Sequence, residues 1–211
     1  MPTPNPWSVV QASDYERHMG SGPGGVDQLG PLSALFQEVV LATQPDRILV
    51  VGCSTGNGLE HVDPSVTRRV VGVDVNLQHL GIARQRFLHL GPRLELYHAD
   101  IADFRAAASQ SFDLVHAALV LEYLHPEVLV RRVSEWLAER GAFSVVLQLP
   151  GGEAPEVSSR ALQLIRKAMR LVPPEELVEL CGGYGLALRR QKEVPLRHGQ
   201  RLWHGVFGRA A

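Results

Sequence analysis

Short continuous apolar runs alternate along this chain with stretches in which apolar residues recur every three or four positions. The runs at 47–51, 70–75 and 112–121 are rich in Val, Ile and Leu and read as strands buried on both faces. Leu94–Ile101 alternates apolar with polar before an acid, and Ala142–Leu149 reads as a fifth strand. Between them, Leu32–Thr43 has helical spacing and stops before Pro45, and Leu77–Leu90 makes a crossover. Pro126 opens a helix to about residue 139, with Val128, Leu129, Val133, Trp136 and Leu137 on one face, so Trp136 reads as core. Strands alternating with helices predict βαβ units, an α/β doubly wound and mostly parallel sheet with helices on both faces.

The flanks follow other patterns. Residues 1–30 contain Tyr15, His18, Met19 and a Gly-Ser-Gly-Pro-Gly-Gly string that breaks helices, and predict a mobile N-terminal lid on a cofactor-binding core of 31–150. Residues 151–172 read as an insertion with a helix from about Val157 to Leu171. Its Leu162, Leu164, Ile165 and Met169 are apolar, with Arg160, Arg166 and Arg170 nearby, and it would lie over the carboxyl ends of the strands. In 173–211, prolines and acids start a helix from Pro173 to Gly182, and Leu186–Leu196 with Arg201–Arg209 form a closing hairpin. One domain accommodates the whole length.

Candidate chemistry begins where the first strand ends. Val50-Val51-Gly52-Cys53-Ser54-Thr55-Gly56-Asn57-Gly58 is a glycine turn, of the kind that brings backbone close to a ligand at a helix N-terminus. The second strand ends on Asp74, an acid placed to accept hydrogen bonds from two ribose hydroxyls. The glycine spacing does not match Gly-x-Gly-x-x-Gly, so nothing here is built for a dinucleotide's diphosphate.

These segments, together with Leu94–Ile101 and Phe112–Leu124 in that order, resemble the class I S-adenosylmethionine-dependent methyltransferases of the small-molecule type. Val50 stands where that family usually has an acid and Ser54 where it has its middle glycine. The resemblance implies a seven-stranded sheet with an antiparallel C-terminal strand and S-adenosylmethionine as cofactor. It implies cofactor contacts from Gly52, Cys53, Ser54, Gly56, Asn57, Asp74, Val75, Asn76, Asp100, Ile101, Ala117 and Glu122. Tyr15, His18, Met19 and Gln148 fall to the acceptor, and Tyr123 and His125, just past the fourth strand, are the candidate catalytic pair. The activity implied is methyl transfer to a small molecule by in-line displacement. Val50 and Ser54 keep open a catalytically silent cofactor-binding partner subunit, and an NAD(P)-dependent oxidoreductase stands third.

Composition narrows the partners. The net charge is −1, and although 151–211 carries ten Arg or Lys against six Glu, this is no dense basic stripe, so nucleic acid is disfavoured. Cys53 and Cys181 lie far apart without metal-ligand spacing, and the nine histidines are scattered; neither a disulfide framework nor a metal site is expected. The N-terminus lacks the pattern of a signal peptide, and no run approaches the roughly 18 apolar residues of a membrane span. A cytoplasmic protein without a membrane partner is the expectation.

Overall fold

A computed structural model describes residues 5–106, 111–152 and 159–210. The apolar runs form β1 (Arg47–Val51), β2 (Arg69–Asp74), β3 (Leu94–His98), β4 (Phe112–Ala118) and β5 (Leu137–Gln148); the closing hairpin supplies β6 (Leu186–Pro195) and β7 (Arg201–Arg209). They make one seven-stranded sheet in the order β3-β2-β1-β4-β5-β7-β6. Strands β1 to β5 pair in parallel, and β7 runs antiparallel between β5 and β6. A dinucleotide fold has the all-parallel order 3-2-1-4-5-6, so the antiparallel seventh strand weighs against the oxidoreductase reading.

Alternation along each strand divides the core. On β1, Leu49 and Val51 enter one cluster with Val71, Val115 and Phe143, covered by α4 (Pro126–Trp136) and α6 (Pro174–Gly183). Ile48 and Val50 enter the opposite cluster with Val70 and Leu114, covered by α2 (Leu29–Thr43) and α3 (Leu77–Arg86). Phe36 of α2 is 2% exposed. Truncation of such a ring to alanine costs about 3–5 kcal/mol. Trp136 is buried edge-on against Phe104, as its helical spacing predicts.

Three local expectations need correction. The glycine turn leads not into a full helix but into a single 3-10 turn, Leu59–His61, because Gly56 and Gly58 take positive φ and Pro64 follows closely. The helix opened by Pro126 ends at Trp136 rather than near residue 139: Leu137 is already extended, pairs with Phe112 and buries its side chain in the core. The N-terminal segment contains α1 (Ala12–Met19), since the glycine string starts only after Met19 and Ala12, Tyr15 and Met19 present one buried face. The insertion helix α5 spans Arg160–Ala168; its expected beginning at 157 lies outside the described residues.

Candidate active site

A cavity of about 430 Å³ opens at the carboxyl ends of β1, β2, β4 and β5. Small-molecule sites measure roughly 300–1,000 Å³. Its floor is strand-end backbone and its roof is α1 and α5, so side chains far apart in sequence meet across it.

Asp74 closes β2 and lines the cavity. One carboxylate oxygen accepts the Ser54 N–H at 2.8 Å and the other the Asn76 N–H at 2.8 Å. Burial nevertheless outweighs these two donors and raises its pKa above the ordinary carboxylate range. A carboxylate offers about four lone-pair directions, so it can take two more donors from the cavity side, and a vicinal diol supplies two. The arrangement fits a ribose.

The glycine turn is shaped as much by the protein's own packing as by the cavity. A Cβ on Gly52 would stand 2.6 Å from Val120 Cγ2, and one on Gly56 would stand 2.5 Å from Phe87 Cε2. Gly52 and Ser54 line the cavity, whereas Cys53, Gly56 and Asn57 do not: Cys53 packs in the core and the Asn57 amide donates to the Leu29 carbonyl at 3.0 Å. Ser54 sits at φ +46°, the left-handed region usually served by glycine. Its backbone N–H on Asp74 and its hydroxyl, 3.0 Å from His79 Nδ1, hold it there. Val50, in the place of the family's usual acid, is a core residue.

The other expected cofactor residues divide the same way. Val75, Asp100 and Ile101 line the cavity; Asp100 also accepts the Ala102 N–H at 2.9 Å, a turn-capping bond. Asn76 does not line it. It caps α3, accepting the His79 N–H at 3.2 Å, and its amide donates to the carbonyls of Trp7 and Val10, both at 2.8 Å. That side chain ties the N-terminal cover to the sheet. Ala117 lies beneath the surface in the core, and Glu122 is likewise enclosed behind the wall: one oxygen accepts the Gln148 N–H at 2.8 Å, the other has no partner among the described residues, and burial lifts its pKa to about 7.

Of the candidate catalytic pair, Tyr123 lines the cavity and stands edge-to-face with Trp7 at 5.2 Å, but burial, with the Glu122 charge, raises its pKa far above neutrality and leaves it unfit to accept a proton. His125 is exposed at the entrance to α4, outside the lining. Tyr15, His18, Met19 and Gln148 all line the cavity. Burial, helped by the Asp74 charge and opposed by a hydrogen bond with Ser54, pushes Tyr15 up to about 12. Gln148 accepts from the Gln28 amide at 2.7 Å. His18 is held below its ordinary pKa by burial and by the charge of Arg166. It is therefore neutral near pH 7. The second imidazole of the lining, His79, is engaged at both nitrogens, by Ser54 and by the Val10 carbonyl at 2.9 Å.

Several lining residues escaped the sequence reading, among them Trp7, Gln28, His79 and Leu119. Leu119, just past β4, has φ +55°. Such a conformation is an outlier for a bulky residue and concentrates at functional sites. His79 carried a readable signal, three residues after the helix-capping Asn76; Trp7 and Leu119 carried none.

Comparison with known proteins agrees with the sheet topology. The methyltransferase domain family matches residues 48–141. A ubiquinone biosynthesis O-methyltransferase from Hahella chejuensis is 30% identical over 129 residues, 58% of this chain and 52% of that protein. The corresponding enzyme from Aromatoleum aromaticum is 30% identical over 78 residues, 37% of this chain and 33% of that protein. The chain thus spans a third to a half of the length of the curated relatives it matches. The N-methyltransferase NodS of Bradyrhizobium japonicum WM9, in complex with S-adenosyl-L-homocysteine, superposes with a TM-score of 0.71 at 17% identity, covering 98% of this chain and 100% of that one.

Proposed function

We propose that this chain, which has the fold of the class I S-adenosylmethionine-dependent methyltransferases, binds S-adenosylmethionine and transfers its methyl group to a small molecule. The observation that carries the reading is the buried Asp74 carboxylate, turned toward a cavity at the strand ends with its free lone pairs in need of donors. Asp74 would hold the ribose, Val75, Ile101 and Ala99 would flank the base, and Asp100 would take its amino group. The bound cofactor supplies an electrophilic methyl on a sulfonium. Trp7, Tyr15 and Tyr123 form a π-rich wall compatible with that positive charge.

In-line displacement is accelerated chiefly by alignment and by exclusion of water. The α1 and α5 roof serves both ends. An acceptor hydroxyl or ammonium must also lose a proton, and His18 is the base we assign, being neutral near pH 7 and, of the two lining imidazoles, the one not bonded at both nitrogens. The test is release of S-adenosylhomocysteine from S-adenosylmethionine in the presence of hydroxyl, amine and carboxyl acceptors. Acceptor-dependent release supports the assignment; failure of the protein to bind either adenosyl compound overturns it.

A further inference from the structure

The cavity is electrically two-ended. Its two acids, Asp74 and Asp100, lie at and just beyond the tips of β2 and β3, and Arg166 of α5 is the one guanidinium or ammonium among its described lining residues. Many arginines of this protein are neutralised: Arg68, Arg69, Arg86 and Arg201 each have a carboxylate within ion-pair distance. Arg166 has no hydrogen-bonding or ion-pair partner among the described residues. Its charge instead acts on His18, which also lines the cavity. Next to it on the same helix, Leu162 and Ile165 turn inward, and Met169 continues that apolar strip along the cavity.

An apolar strip beside one guanidinium that no described residue pairs selects a molecule with an apolar body and a single acidic group. The planar fork of arginine presents two parallel N–H bonds that match the two oxygens of a carboxylate. A phosphate dianion would leave charge uncompensated by a lone arginine. The acids at the far end repel an anion, so the same charge pattern that attracts the acceptor also fixes which way round it enters.

We propose that the methyl acceptor is an apolar molecule carrying a carboxylate, with the carboxylate on Arg166 at the α5 rim and the apolar body against Leu162, Ile165 and Met169. This rests on the methyltransferase reading, and the experiment separates the two. The protein is first titrated with S-adenosylhomocysteine. The saturated complex is then titrated with decanoate, 3-phenylpropanoate and 3-(4-hydroxyphenyl)propanoate, each beside its primary amide. At least one carboxylate is expected to bind ten-fold or more tightly than its amide. In Arg166→Gln that preference should fall to within two-fold, while Arg166→Lys keeps part of it and both variants keep S-adenosylhomocysteine affinity within two-fold of wild type. Equal binding of acid and amide, a preference that survives in Arg166→Gln, or no binding by any probe to the saturated protein overturns the proposal. Failure in the first titration overturns the methyltransferase reading instead.

Discussion

At the scale of single residues, a buried carboxyl and a half-buried imidazole set measurable pH behaviour. Glu122 ionises near pH 7 in the folded protein against an ordinary value of 4.5. Since its folded pKa is raised, its contribution to stability is complete below pH 4.5 and is lost as pH rises toward and through 7. Replacing it removes the ionisation: Glu122→Gln should exceed wild type in stability by up to about 3 kcal/mol at pH 8 and lose that advantage near pH 4.5. Denaturant titrations across that range check this, and a pH-independent difference would refute it. His18 titrates the other way in function. As a base with a pKa below its ordinary 6.5, it should give a methyl-transfer rate that rises with pH, with its midpoint below 6.5, and then levels off, for any acceptor that must lose a proton. His18→Gln should lower that rate by about 10²-fold or more and abolish the pH step. A full rate in the variant would remove His18 from the mechanism.

At the scale of elements, the strands were legible because burial on both faces demands continuous apolar residues, as in Ile48–Val51 and Val70–Val73. Asp74 was legible because its place at a strand tip follows from that run. The N-terminal cover was only half legible. Tyr15, His18 and Met19 were anticipated at the cavity, but the glycine string hid the helix that carries them, and no local pattern could reveal that Asn76 binds the cover through the Trp7 and Val10 carbonyls. The same long-range bonds moved Asn76 from the expected cofactor contacts to an anchoring role. Gly56 likewise follows from the approach of Phe87, a packing relation that glycine spacing alone does not encode. Asn76→Ala removes a helix cap together with two anchoring bonds, and should cost about 2 kcal/mol in unfolding free energy. Faster protease cleavage within 20–25 should accompany it; unchanged stability and cleavage would show the cover to be held elsewhere.

Over the whole molecule, the sheet encloses a polar chain that no strand pattern announces. His116 Nδ1 lies 3.0 Å from Ser144 Oγ, which lies 2.9 Å from His204 Nε2, all three buried across β4, β5 and β7. Burial, reinforced by repulsion from His204, brings His116 down to about 3; burial, opposed by Glu38 and helped by Lys192 and Arg190, brings His204 down to about 4. Both stay neutral in the fold, while the unfolded chain takes up protons below about pH 6.5. Stability is therefore complete above 6.5 and drains away as pH falls toward the folded values, by about 1.4 kcal/mol per pH unit for each ring. Glu122 works in the opposite sense over part of that range, so the comparison must be with a variant. His116→Gln should lose about 2 kcal/mol less than wild type between pH 7 and pH 5; equal losses would mean that His116 is not the acid-sensitive group. No helix among the described residues is long and apolar enough to cross a membrane.

The account as a whole depends on Asp74 gripping a ribose from the cavity wall. Calorimetric titration of wild type and Asp74→Ala with S-adenosylhomocysteine tests this most directly, with the fold of each protein checked by circular dichroism. Wild type should bind, and the variant should bind more weakly by about 1–3 kcal/mol, the cost of hydrogen bonds lost to a charged acceptor. Equal affinities, or a folded wild-type protein that does not bind, would contradict it.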